Sequence, residues 1–146
     1  MRFAAVLIAM VWSGACAARA AAPPAIVMDR SACSRCGMLI SEQAYAGAIR
    51  QPDGHDRLFD DIGCLVATVR EGSLNGAHYW FHDAADGGWI TDAAPVFVFS
   101  PQLRTPMGGG IVAYRSAAAA ELAAERQGGR IVRDFRELLT LERSSR

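Results

Sequence analysis

The chain has 146 residues, 51% of them hydrophobic and 21% charged, with a formal net charge of +0. That length suits one domain with a sizeable core, and the apolar content excludes wholesale disorder. No basic excess points to nucleic acid; every basic residue is Arg, a bias we read as base composition of the genome.

Residues 1–24 read as an export segment and spacer. Arg2 precedes an apolar run from Phe3 to Trp12, then small residues and Pro23-Pro24. The run is too short to span a bilayer and has the order of a signal peptide. Ala18-Arg19-Ala20 offers an ordinary cleavage site, and Ser13-Gly14-Ala15-Cys16 an imperfect lipoprotein box in which Cys16 would be acylated. The mature protein is expected in the periplasm, with a membrane contact only through that anchor.

The domain is expected over 25–146. Ala25 to Asp29 reads as a first strand and Ser31 to Met38 as a Cys-Gly knuckle. Ala44 to Gln51 and Arg57 to Phe59 form a hairpin around Pro52-Asp53-Gly54, where Pro presets φ and Gly supplies positive φ. Asp60 or Asp61 caps a helix from Ile62 to Glu71, which Gly72 ends. Strands follow at His78 to His82, Pro95 to Phe99 and Gly110 to Tyr114, with a Gly87-Gly88 turn and a short extended piece, Trp89 to Thr91, between the first two. Ser116 caps a helix over Ala117–Gln127, stopped by Gly128-Gly129. Arg130 to Val132 is a short strand and Phe135 to Leu141 a last helix. The pattern predicts an α+β domain of two ββα-type halves, mostly antiparallel, with three helices.

Cys33, Cys36 and Cys64 remain after export. An odd number of cysteines does not suit a disulfide scaffold, so at least one thiol must be free, intermolecular or a ligand. Cys33-x-x-Cys36 can put two sulfurs on one ion, and Met38 adds a thioether two residues on. Thiolate with thioether is a soft donor set that selects Cu(I). Met107 lies between Pro106 and a Gly run, on a loop and not on a helix face. Cys64 falls in the first turn of the predicted helix, where the N-terminus favours a thiolate, although a buried small hydrophobe is the plainer reading.

The histidines are weaker candidates. His78 and His82 share a strand face but stand roughly 13 Å apart, too far for one metal. His55 belongs to the turn. Met28 is expected to pack, Asp60 and Asp61 to cap, and Trp80 and Trp89 to line the core. No nucleophile elbow, nucleotide-binding Gly fingerprint or HExxH is present.

Taken in order, Cys33-x-x-Cys36-Gly37-Met38, Phe59-Asp60-Asp61-Ile62-Gly63-Cys64, Trp89-Ile90-x-Asp92-Ala93, Thr105-Pro106-Met107-x-x-Gly110 and Gly128-Gly129 resemble the NosL family. These are copper-binding accessory lipoproteins of nitrous oxide reductase maturation. The resemblance implies a Cu(I) chaperone, not an enzyme, that exchanges copper with a periplasmic protein or a membrane maturation complex. It also implies repeated ββα-type units reminiscent of organomercurial lyase. The family's copper-binding cysteine and methionine fall on Cys36 and Met38, with Met107 as the other methionine and Cys33 and Cys64 as alternates.

Two other readings use the same thiols. One is a structural zinc site of Cys33, Cys36, Cys64 and a His. The other is a periplasmic thiol oxidoreductase or lyase using Cys33 and Cys36, or Cys64 with an Asp. Neither gives the methionines a role.

Overall fold

A computed structural model describes residues 22–72, 76–91 and 93–141. Residues 1–21, on which the expected export signal and Cys16 fall, lie outside these residues.

Two three-stranded antiparallel sheets build the domain, and they share one topology. In the first half, β1 (Gly47–Arg50) pairs with β2 (Asp56–Phe59); α1 (Ile62–Glu71) follows, and β3 (His78–Phe81) returns to the other edge of β1. The second half repeats this with β4 (Val96–Phe99), β5 (Ile111–Tyr114), α2 (Ala117–Gln127) and β6 (Arg130–Val132), β4 being central. Each half is therefore a ββαβ unit, one strand longer than the ββα-type half the sequence suggests. The α+β class and the three helices stand, the third being α3 (Phe135–Thr140).

The helices begin and end where local chemistry directs. The Asp61 carboxylate accepts the Gly63 N–H at 2.6 Å, and Ser116 Oγ accepts the Ala119 N–H. Gly128 closes α2 in the left-handed region at φ 57°. The face of α1 that carries Ile62, Leu65 and Val66 packs into the core with Phe59, Phe81, Phe97 and Leu138. Phe81 and Phe97 meet edge to face at 4.9 Å, which joins the edge strand β3 of the first sheet to the central strand β4 of the second. A parallel bridge from Asp83 to Ala113 continues the junction.

The expected strand at Ala25 to Asp29 does not form. Val27 O accepts the N–H groups of both Arg30 and Ser31, and Asp29 turns at φ 58°. The turn leaves one cross-chain bond, Asp29 N–H to Ile40 O at 2.8 Å, in place of a ladder. The turn instead leads into a narrow hairpin that holds the knuckle, closed by the Ala32–Leu39 bridge.

Candidate metal centre

Three segments meet at the thiols. The knuckle is a tight turn in which Gly37 N–H bonds Cys33 O at 2.9 Å and Cys33 N–H bonds Met38 O at 2.8 Å. Gly37 stands at φ 77°, a conformation that a side chain would strain. Ser34 fastens the knuckle to β2: its N–H donates to Leu58 O at 2.7 Å, and its Oγ accepts the Leu58 N–H at 3.0 Å. β2 then ends at Phe59, so Asp60 follows directly, and Cys64 lies one turn into α1.

One ligand atom from each of Cys33, Cys36, Asp60 and Cys64 lies within 4.8 Å of all the others. All three cysteines are free. The Cys36 thiol donates to Asp60 Oδ1 at 3.6 Å. Cys33 and Cys64 are joined by a thiol hydrogen bond that pushes Cys33 down and Cys64 up, and burial adds to the upward push on Cys64. Burial also raises Cys36. Asp60 is raised to about 6, first by burial and then by Cys33. A metal that takes several of these ligands must displace protons.

Met107 comes from the second half of the chain. Together with Cys36 and Cys64 it lines a cavity of about 420 Å³, walled by Phe99, Ile111 and Leu138. Its side chain is 41% exposed. The loop that carries it is held by Asp61: Oδ2 accepts Thr105 Oγ1 at 2.6 Å, the Met107 N–H at 2.9 Å and the Gly109 N–H at 3.3 Å. Gly63 and Gly109 let the two backbones touch, since a Cβ at Gly63 would stand 2.7 Å from Gly109 Cα.

Two arginines brace the rim. Arg35 makes a double contact with Glu71 at 2.6 Å, tying the knuckle to the end of α1. Arg70 donates to the carbonyls of Leu138, Leu139 and Leu141 and so caps α3.

Met38 stands apart from the cavity. It is 53% exposed and belongs to the outer side of the knuckle. Met28 is half-buried in the preceding turn. The histidines do not enter the thiol cluster. His82 is buried against Trp89, ring centroids 3.7 Å apart, with Nδ1 2.9 Å from Gln43 O; burial lowers its pKa. His55 is exposed in the Pro52 turn, and His78 is exposed beside Trp80. A Cys3His set is therefore replaced by three Cys and an Asp, because the residue that follows β2 is carried to the thiols by the strand itself. Asp60 was legible only as a cap; Phe59-Asp60, with the carboxylate just past a strand that a Cys knuckle clasps, is the pattern that could have marked it.

Comparison with known proteins gives a consistent picture. A family model described as NosL matches residues 24–139. Among solved structures, the crystal structure of the copper chaperone NosL from Shewanella denitrificans superposes with a TM-score of 0.72 at 22% identity, over 83% of this chain and 98% of that one. That likeness is one of fold. No protein of curated function matches the chain.

Proposed function

The chain belongs to the NosL family, and from that premise we propose that it is a metallochaperone that takes up Cu(I) and passes it on, without catalysing a reaction. The observation that carries the reading is the convergence of three free thiols to ligand distance, two of which, Cys36 and Cys64, line a cavity with Met107. Soft sulfur donors in that number suit Cu(I), which is content with two or three of them. Cys36 and Met107 would hold the ion at the mouth, with Cys33 and Cys64 as the inner thiols. A donor set open on one side favours release to a partner. The solved relative is described as a copper chaperone, in keeping with this reading.

The destination is also part of the proposal. Copper would be delivered for the assembly of a copper enzyme, nitrous oxide reductase being the one the family resemblance names. The protein would act in the periplasm, exchanging copper with a soluble carrier or a membrane maturation complex, and acylation of Cys16 would tether it there.

An anaerobic Cu(I) titration of the reduced protein against a competing chelator tests the reading. One ion per chain, bound more weakly after Cys36→Ser and after Met107→Ala, is the expected result. Cu(I) binding that is weak, or indifferent to both substitutions, would overturn it.

A further inference from the structure

The three thiols do not stand in equivalent places. Cys33 and Cys64 are 3% and 6% exposed, and their side chains meet in a hydrogen bond. Cys36 is half-buried, lines the cavity with Met107 and turns its thiol to Asp60 Oδ1. The backbones behind the inner pair are anchored separately. Cys33 N–H bonds Met38 O at 2.8 Å within the knuckle, and Cys64 N–H bonds Asp61 O at 2.9 Å in the first turn of α1. Ser34, bonded to Leu58 through both its N–H and its Oγ, holds the knuckle against β2. A disulfide brings its sulfurs to about 2.05 Å, and the Cys33, Cys36 and Cys64 sulfurs start within 4.8 Å of one another.

We propose that Cys33 and Cys64 are a redox pair: an external disulfide oxidises them to a bridge between the knuckle and α1, which leaves Cys36 as the single thiol facing Met107 and loosens the hold on Cu(I). The effect on copper rests on the chaperone reading; the bridge rests on the geometry of the two sulfurs. The odd number of cysteines then has a reason, since two close and one stays free. The chemistry is thiol–disulfide exchange, carried by the thiolate of the attacking cysteine. Cys36 is the sulfur that an outside reagent meets first, because the other two are buried. It attacks the external disulfide, forms a mixed disulfide and expels one thiol. Cys33 attacks the Cys36 sulfur and expels the second thiol. Cys64 attacks Cys33, the new bond forms, and Cys36 leaves as a thiol again. The external disulfide gains two electrons and departs as two thiols, which take up the two protons that Cys33 and Cys64 lose. A sulfur in a disulfide is no longer a thiolate ligand. The reduced protein therefore offers three thiols and the Met107 thioether, and the oxidised protein offers Cys36 and Met107 alone. Uptake belongs to the reduced form and release to the oxidised one.

The test equilibrates the full, metal-free chain with glutathione disulfide in the absence of air, quenches in acid, alkylates the remaining thiols and maps the peptides by mass. A Cys33–Cys64 bridge with Cys36 alkylated is expected. Oxidised and reduced protein, freed of glutathione, are then titrated anaerobically with Cu(I) against one chelator. The oxidised form should bind about tenfold or more weakly, as loss of ligands does at least what loss of a supporting residue does. The reduced Cys33→Ser/Cys64→Ser protein should bind Cu(I) as weakly as the oxidised wild type. A final bridge between Cys33 and Cys36, a lasting mixed disulfide on Cys36 or no bridge at all would overturn the pairing. A mapped Cys33–Cys64 bridge with unchanged Cu(I) affinity would overturn the control of copper. Should the double variant not fold, the wild-type map and titrations decide alone. If the reduced wild type itself fails to bind Cu(I), the chaperone reading falls with the control of copper, while the bridge, mapped without copper, is still decided by the peptide masses.

Discussion

Asp61 and Met107 belong to opposite halves of the chain, yet the buried carboxylate of the first accepts the backbone N–H of the second at 2.9 Å. The same carboxylate caps α1 through Gly63 and holds the Thr105 hydroxyl. One side chain therefore starts the helix that carries Cys64 and places the loop that carries Met107. Asp61→Ala should lose the cap, about 1 kcal/mol, and leave loop donors unpaired at about 1–3 kcal/mol. Urea unfolding should show a loss of about 2–4 kcal/mol. A midpoint like that of wild type would show that the loop is held by other means.

Gly63→Ala sets two effects against each other. Alanine is favoured over glycine within a helix by about 1 kcal/mol. Its Cβ, however, would meet Gly109 Cα at 2.7 Å, and backbone cannot swing aside as a side chain can. Overpacking of this kind costs about 1–3 kcal/mol. The net change should be destabilising, and Cu(I) affinity should fall with it as the Met107 loop is displaced. Thermal melts and chelator competition on one preparation measure both; a more stable protein with unchanged copper affinity would refute the close-contact account.

The two methionines should separate. Met107 lines the cavity with Cys36 and Cys64, and Met38 does not. Met107→Ala is expected to weaken Cu(I) by about tenfold, equivalent to about 1.4 kcal/mol. Met38→Ala should change it far less. Both side chains are exposed, so neither substitution should shift the unfolding midpoint much. Equal losses from the two variants would place Met38 at the ion after all.

His82 makes a pH prediction independent of the metal. Burial lowers its folded-state pKa below the unfolded value of 6.5. The unfolded chain then binds the proton more readily, so this contribution to stability is present above pH 6.5 and is lost as pH falls through the folded pKa. Asp60, raised to about 6, works in the opposite sense, losing stability as pH rises through that value. Comparison of wild type with His82→Asn isolates the histidine: Asn can keep the bond to Gln43 O without charging. The difference between their urea midpoints should shift in favour of the variant as pH drops below 6.5. Parallel profiles would mean that His82 stays solvated.

Local chemistry determined much of this fold. The Pro52-Asp53-Gly54 turn, the Asp–Gly limits of α1 and the Ser–Gly limits of α2 are short-range preferences of φ and of capping, and they formed as read. Where a local preference met a stronger local bond, as at Ala25 to Asp29, the strand gave way to a turn. The α+β class followed from the order of such elements, and the soft-donor residues were named by their chemistry. Their assembly was not legible, because Cys33, Asp60 and Cys64 sit on a hairpin, a strand end and a helix that are brought together only by tertiary packing. The division of labour between Asp60 and Asp61 shows the limit most sharply. In sequence they are two equivalent caps. In the structure Asp61 is extended, at φ −142° and ψ 130°, and neighbouring side chains of extended backbone point to opposite sides. One carboxylate is thereby turned to the helix and the Met107 loop, and the other to the thiols.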